Sequence, residues 1–375
     1  MPKAPEAAVL QPFPEATTQF ESWLRSRITV REHDLEFKHE QMATGPFPFM
    51  RATFYRWMQL WPVLCPELAA APNLLAVGDL HADNFGTWRD QEGRLVWGVN
   101  DFDEAYPLSY ANDLVRLAVS VRLAIAIDRL RITPRRACEA ILDGYRRGLD
   151  AGGAPFVLAE HHPVLRREAA GVLRDPVRFW QRLDAQPEDR TPPAKLVRLL
   201  NAALPGDVQP RFVDRTAGLG SLGHVRVVAI GSYAGALIAR EAKALAPSAC
   251  LWAAGAPAAG PNHYATIVRR AVRCPDPFLQ LREGWVLRRL APDCSRIEAT
   301  TVQTVPEQLE LAKAMGAETA NIHLGAALAR IEDVRRDLAA RPVDWLRLAS
   351  KAMTRATVAD YDSWLRWRGQ APAAR

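Results

Sequence analysis

Residues 77–105, VGDLHADNFGTWRDQEGRLVWGVNDFDEA, constrain the chain more than any other stretch. Apolar runs flank two clusters of acid and amide, Asp79-Leu-His81-Ala-Asp83-Asn84 and Asn100-Asp101-Phe102-Asp103-Glu104, with a Gly-containing turn at Glu92-Gly93 between them. A carboxylate held beside a buried strand is costly unless a cation or a set of donors satisfies it. The fold must therefore bring partners to these acids, and a divalent metal carrying phosphate is the simplest one. Mg2+ takes few protein carboxylates and leaves positions for water and phosphate, a role that suits Asn84 and Asp101. Phosphoryl transfer also needs a separate Asp to accept or orient the attacking hydroxyl, with four residues between it and a metal-binding Asn. Asp79 and Asn84 have that spacing. Alone, GDLHADN also reads as an ordinary turn rich in Asp, Asn and Gly; the second acidic cluster is what favours a metal site.

The stretch resembles the catalytic loop and metal-binding Asp of aminoglycoside-phosphotransferase-like members of the protein-kinase superfamily, whose patterns run HGDxHxxN and then IDFxxA. GDLHADN and NDFDEA match both halves, with Val77 where those enzymes usually carry a mainly structural His. The resemblance implies Asp79 as base, Asn84 and Asp101 as metal ligands, and Asp103 as an outer-shell or second metal ligand.

At 375 residues the chain is long enough for two domains or one bilobal domain. Its net charge is +6, but basic and acidic residues are mixed along it, which favours an anionic substrate over a nucleic acid. The N-terminal MPKAPEAAVLQPFPE lacks a signal pattern, and Arg116, Arg122 and Asp128 break the apolar helix near 114–130, so no membrane partner is expected. Five scattered cysteines without a CxxC pair suit reduced thiols in a cytoplasm. Lys occurs at only six positions (3, 38, 195, 243, 313 and 351), so a Lys beside a phosphate site is more informative than usual.

Residues 17–65 read as helical, interrupted by a loop at KHEQMATGPFPF, where Gly-Pro and Phe-Pro steps break the pattern. Lys38, His39 and Arg51 bracket that loop and could reach a phosphate or a substrate; each taken singly reads rather as a solvated helix charge or polar position. Tyr110-Ala-Asn112-Asp113 opens a long helix that Asn112 or Asp113 is placed to cap. The related kinases use an Asp at a similar remove to brace the catalytic loop, and Asp113 fits both roles. Residues 134–204 read as helices of the same lobe, broken by prolines, with His161-His162 a loop pair.

From 205 the pattern becomes strand, glycine loop (Gly218-Leu-Gly220-Ser221-Leu-Gly223), strand (His224–Ile230), a turn at Gly231-Ser232, and a further strand ending at Lys243. A dinucleotide-binding fold needs a helix directly after such glycines, whereas VRVVAI is strand-like. The segment resembles the nucleotide-covering hairpin of kinases, which implies Gly218, Gly220, Ser221 and Gly223 over the phosphates and Lys243 as their grip. A plain hairpin loop and a solvent-facing strand end are the alternatives. A strand-end Lys contributes little to packing, so Lys243→Met is expected to spare the fold. Residues 261–274 form a short helix where kinases place the Glu that pairs with this Lys. No Glu lies between Glu241 and Glu283, so the partner is one of these or an acid from elsewhere. A strand at 285–292, helix from 306 to 340 with a packed His323, and a helical tail with Trp345, Trp364 and Trp367 on apolar faces complete the chain.

These parts stand in the order catalytic loop, metal Asp, lobe helices, glycine loop, Lys, which is one circular permutation of the kinase order. With Lys38, Met42, Pro46 and Phe47 spaced as K-x-x-x-M-x-x-x-P-F, the whole resembles the bacterial domain-of-unknown-function family 2252. The expected class is α+β: a bilobal, circularly permuted protein-kinase-like fold with a small antiparallel sheet lobe (206–290) and a large helical lobe (1–205, rejoined by 291–375). The expected activity is ATP-dependent phosphoryl transfer to a small-molecule hydroxyl with Mg2+ or Mn2+. A nucleotide-binding pseudokinase is the alternative. A phosphoesterase opening with GDxH would need two further segments that the sequence does not carry.

Overall fold

The computed structural model describes residues 10–158, 161–172, 176–189, 191–256, 260–294, 302–326 and 330–369. Residues 1–9, read above for a signal pattern, and 295–301, at the head of the last helical segment, lie outside these. Among the described residues the class is α+β, with helices around three small antiparallel sheets. Helix α1 (Phe13–Arg25) buries Phe13, Ala16, Phe20 and Leu24, and α2 (Glu32–Ala43) buries Leu35, Lys38 and Met42, each set along one helical face. The loop expected at KHEQMATGPFPF is not formed. Helix α2 runs through Ala43, the break is confined to Thr44-Gly45, and α3 (Pro46–Ala52) starts on Pro46. A proline in the first helical turn removes no intrahelical bond, so these prolines begin a helix rather than prevent one. Helices α4 (Phe54–Leu64) and α5 (Pro66–Ala69) follow.

Strand β1 (Asn73–Ala76) pairs with β4 (Tyr106–Ser109), and between them β2 (Phe85–Arg89) and β3 (Leu95–Val99) form a hairpin. Because Ala76 lies opposite Tyr106 and Phe85 opposite Val99, the connections 77–84 and 100–105 leave the two sheets side by side. The acid clusters are thus neighbours by topology. Helix α6 (Tyr110–Ala126) is buried along most of its length. Its cap is Ser109, whose Oγ accepts the Ala111 N–H at 3.2 Å, and not Asn112 or Asp113, which have other partners. Helix α7 (Pro134–Asp150), β5 (Phe156–Val157), α8 (Pro163–Val172), α9 (Pro176–Asp184) and α10 (Ala194–Ala202) come next.

The five-stranded sheet contains β6 (Arg211–Asp214), β7 (Arg226–Tyr233), β8 (Ala236–Ala244), β9 (Gln280–Arg282) and β10 (Trp285–Leu290), in the order β6-β7-β8-β10-β9. The β7–β8 turn is Ala234-Gly235; Gly231 and Ser232, expected to turn, pair with Ile238 and Leu237 inside the hairpin. Leu196, Leu199 and Leu200 of α10 cover one face of this sheet, and Leu183 of α9 packs on Val213, Val228 and Ile230 of the other. These two helices therefore belong with the sheet and not, as expected, with the helices around the acids. Helices α11 (Ala249–Ala253) and α12 (Tyr264–Arg270) lie between β8 and β9. The chain ends in α13 (Val305–Ala326), which packs along α7, then α14 (Ile331–Ala340) and α15 (Trp345–Trp367). Trp345 and Trp364 join the main core, whereas Trp367 is 59% exposed.

Candidate functional site

Helix α6 holds the first acid loop from below. The Asp113 carboxylate accepts the N–H groups of Val77 (2.7 Å) and Gly78 (3.0 Å), and Asn112 Nδ2 donates to the Gly78 carbonyl (3.1 Å). His323 Nε2 lies 3.0 Å from Asp113, and its Nδ1 lies 2.9 Å from the Tyr145 hydroxyl. A carboxylate can only accept, so Nε2–H donates to Asp113, while Nδ1 shares a hydrogen bond with the Tyr145 hydroxyl. His323 is thus a packed helix histidine that anchors the loop. Gly78 has φ +82, and a Cβ there would lie 2.3 Å from the Glu104 carbonyl oxygen, so only glycine lets the two acid loops touch.

Asn84 laces these loops together. Its Oδ1 accepts the Asp101 N–H (3.0 Å), while its Nδ2 donates to the carbonyls of Asp101 (3.1 Å) and Asp79 (3.3 Å). Asp79 receives Arg116 Nε at 2.6 Å. Arg116 is fully buried in α6, also donates to the Met50 carbonyl (2.9 Å), and lies 4.9 Å from the ring centroids of both Phe54 and Trp57. Burial pushes the Asp79 carboxyl above its ordinary range, and Arg116 offsets part of that rise. Arg116 was not singled out as a site residue from the sequence. The signal was an Arg inside an apolar helical run, which implies a buried partner. Asp83 pairs with Arg51 at 2.9 Å.

Lys243, at the end of β8, reaches the second loop. Its Nζ lies 2.6 and 2.7 Å from the Asp103 oxygens and 3.2 and 3.3 Å from those of Asp101. Its side chain is 3% exposed, against 15% for Asp103 and 39% for Asp101. The acids paired with Lys243 are these two, and not Glu241 or Glu283. Glu241 is fully buried among Arg215, Arg226 and Arg288, whereas Glu283 sits at the β9–β10 turn with Arg198 at 2.9 Å. Burial raises both aspartates, but Lys243 brings Asp101 below the usual carboxylate range while the charge of Asp101 leaves Asp103 above it. For Glu241 burial acts upward too, and the surrounding guanidinium groups, Arg288 first, hold it well below.

The glycine turn lies over Asp79. A Cβ on Gly220 would be 3.4 Å from Asp79 Oδ2, an ordinary contact, and a tighter 3.2 Å from the Arg51 carbonyl, so the turn sits directly against both. Ser221 Oγ accepts from Arg226 Nη2 (2.5 Å). Gly223 stands apart, packed against Leu35 of α2. The structure therefore brings Asp79, Asn84, Asp101, Asp103, Lys243, Gly218, Gly220 and Ser221 together and leaves Gly223 outside the group.

Two clefts meet here. One, about 880 Å³ including its open mouth, is lined by Lys38, Asp79, Asp103, Glu104 and the glycine turn; the other, about 1300 Å³ on the same measure, is lined by Arg215, Arg226, Arg273, Arg288 and Arg289. Asp83, Asn84, Asp101 and Gly218 border both. Among the described residues no group of three or more His, Cys, Asp or Glu side chains is arranged to hold a metal ion. Asp101 and Asn84 are the residues that could hold Mg2+, which takes one or two protein carboxylates and completes its shell with phosphate oxygens and water. The half-exposed Asp101 carboxylate is open to such a shell.

Residues 31–164 match the family described as "Uncharacterized protein conserved in bacteria (DUF2252)". The match runs from α2 through both acid loops and α6 to the start of α8. No curated protein and no solved structure matches the chain. Among the described residues no helix is long and apolar enough to cross a membrane.

Proposed function

We propose that the chain is an ATP-dependent phosphotransferase that carries a phosphoryl group to a small-molecule hydroxyl, on a bilobal, circularly permuted protein-kinase-like fold. One observation carries the reading: an Asp under a glycine turn stands in one site with a Lys bound to two further Asp from 142 and 140 residues away. Neither a turn nor a solvent-facing strand end needs that convergence. In this reading the nucleotide enters the arginine-lined cleft, where three guanidinium groups around the single Glu241 leave a net positive charge for phosphates. Lys243 passes from the aspartates to the phosphate oxygens. Mg2+ or Mn2+ on Asp101 and Asn84 would supply charge neutralisation at the phosphates. The acceptor oxygen forms its bond to phosphorus as the bond to ADP breaks, and Asp79, held in position by Arg116, takes the hydroxyl proton.

The test is a thermal unfolding series with ATP, with and without Mg2+ or Mn2+, alongside an assay of ADP formation. A rise of the midpoint with ATP and metal, and ADP formation that disappears in Asp79→Asn, are expected. No rise under any metal condition overturns the reading, and a rise without ADP formation would make the chain a nucleotide-binding pseudokinase.

A further inference from the structure

The first cleft contains a cation, Lys38, that is hydrogen-bonded to none of the described residues. Lys38 lies on the buried face of α2 between Leu35 and Met42, is 3% exposed, and among the described residues its ammonium makes no hydrogen bond or ion pair. Burial lowers the Lys38 pKa, and the charges of Glu21, Glu104 and Asp79 offset part of that fall. The carboxylates around it are engaged elsewhere: Glu21 with His39 at 2.5 Å, Glu104 with Ser248 Oγ and Ala249 N–H at 2.7 Å each, Asp79 with Arg116. The neighbouring cations are committed as well, Arg51 to Asp83 and Lys243 to Asp101 and Asp103.

What Lys38 faces is a cleft with one apolar wall. Phe20, Phe54 and Tyr55 line it, and the Tyr55 hydroxyl is turned to Thr17 at 2.9 Å. His224 lines it too; its Nδ1–H donates to the Ala244 carbonyl at 3.2 Å, which leaves Nε2 with a lone pair. Lys38 does not line the arginine-rich cleft.

We propose that Lys38 anchors the acceptor, and that the acceptor is a small hydroxy compound bearing an anionic oxygen group, a carboxylate or a phosphate ester, paired with the Lys38 ammonium. Its hydroxyl then points to Asp79, its carbon frame lies on Phe20 and Phe54, and a further hydroxyl can donate to His224 Nε2. This assignment deepens the phosphotransferase reading and rests on it. The terminal phosphate of the nucleotide offers the same chemistry to Lys38, and the experiment separates the two sources.

Binding of glycerate and of glycerol 3-phosphate to the full chain is measured by titration with ADP–Mg2+ saturating and again without nucleotide, with glycerol as the uncharged control. One charged probe is expected to bind where glycerol does not. Lys38→Met should weaken it about tenfold or more, the scale of a charge-assisted hydrogen bond, while ADP–Mg2+ and ATP–Mg2+ affinities stay as in the wild type. Lys38→Gln, closer in shape, serves as the second variant should the first fail to fold. The assignment is overturned if neither charged probe binds the wild type, if the folded variants bind it equally well, or if they lose ATP–Mg2+ affinity to the same degree. A wild type indifferent to ATP–Mg2+ sinks the phosphotransferase reading alone. A charged probe that then binds nucleotide-free wild type but not Lys38→Met supports the anion site by itself.

Discussion

Lys243→Met removes the one ammonium shared by two carboxylates. The earlier expectation, that a strand-end lysine can be lost without harm to the fold, does not survive the burial of this side chain at 3% exposure. Met fills a similar volume, so the loss is electrostatic. Asp101 is 39% exposed, and its share is screened to at most about 1 kcal/mol. Asp103, at 15%, is left as a buried charge without its partner, a change that typically costs about 3–5 kcal/mol. Because one carboxyl of the pair can take a proton, we expect the lower end, about 3 kcal/mol at pH 7.5. The pH dependence has a definite sign. In the variant, burial and the Asp101 charge raise the folded pKa of Asp103 above its unfolded value of about 3.9. The penalty is therefore absent below that value and grows as pH rises through the folded pKa. Urea unfolding followed by circular dichroism, at pH 7.5 and pH 4.5 with unchanged m, reads both quantities. In an Asp103→Asn background the cost of Lys243→Met should shrink by more than half. A cost under about 1 kcal/mol at pH 7.5, or one that persists undiminished at pH 4.5, would refute the argument.

Other expectations follow from the same geometry. Asp79→Asn should abolish turnover and keep nucleotide affinity, whereas Asp101→Asn should weaken metal-dependent binding; ATP titrations with and without Mg2+ that show equal losses in both would contradict the separate roles. Asp113→Ala leaves the N–H groups of Val77 and Gly78 and the His323 ring unpaired in the core, so about 3 kcal/mol or more of stability should disappear in urea unfolding. A loss under 1 kcal/mol would mean that water replaces the carboxylate. Burial, with Lys243 and Arg226 nearby, pushes His224 down to about 3, below its unfolded value. Its contribution to stability is present above the unfolded pKa of about 6.5 and is lost as pH falls towards 3. His224→Asn should therefore flatten the stability curve between pH 6 and 4 by about 2 kcal/mol, and parallel curves for the two proteins would count against it.

The sequence disclosed the demand for partners far better than their supply. Asp79, Asn84, Asp101 and Asp103 were legible because acids between apolar runs are anomalous locally, within one hairpin and its flanks. The strands around Lys243 were legible because alternation and β-branching are local as well. Who answers each acid is a long-range matter set by register and packing. Arg116 comes from the next helix, Arg51 from a short helix that begins on a proline read as a breaker, and Lys243 from a sheet 140 residues on. The assignment of α9 and α10 failed for a related reason: an amphipathic helix shows that it has an apolar face, not which sheet or bundle covers it.

Lys38 shows how the same rule works in reverse. Its place on the stripe Leu35-Lys38-Met42 makes it a charge on a buried face, the mirror image of an acid among apolar strands. From sequence alone the two resolutions, a solvated end or an internal partner, could not be told apart, since Lys can reach past a helix edge. The structure removes the first by burying the residue and, among the described residues, leaves the second unfilled, because Glu21, Glu104 and Asp79 already have donors. A buried acid that finds its cation within the chain is explained by folding. A buried cation that no described residue hydrogen-bonds, facing an open cleft beside Asp79, is explained by what enters the cleft.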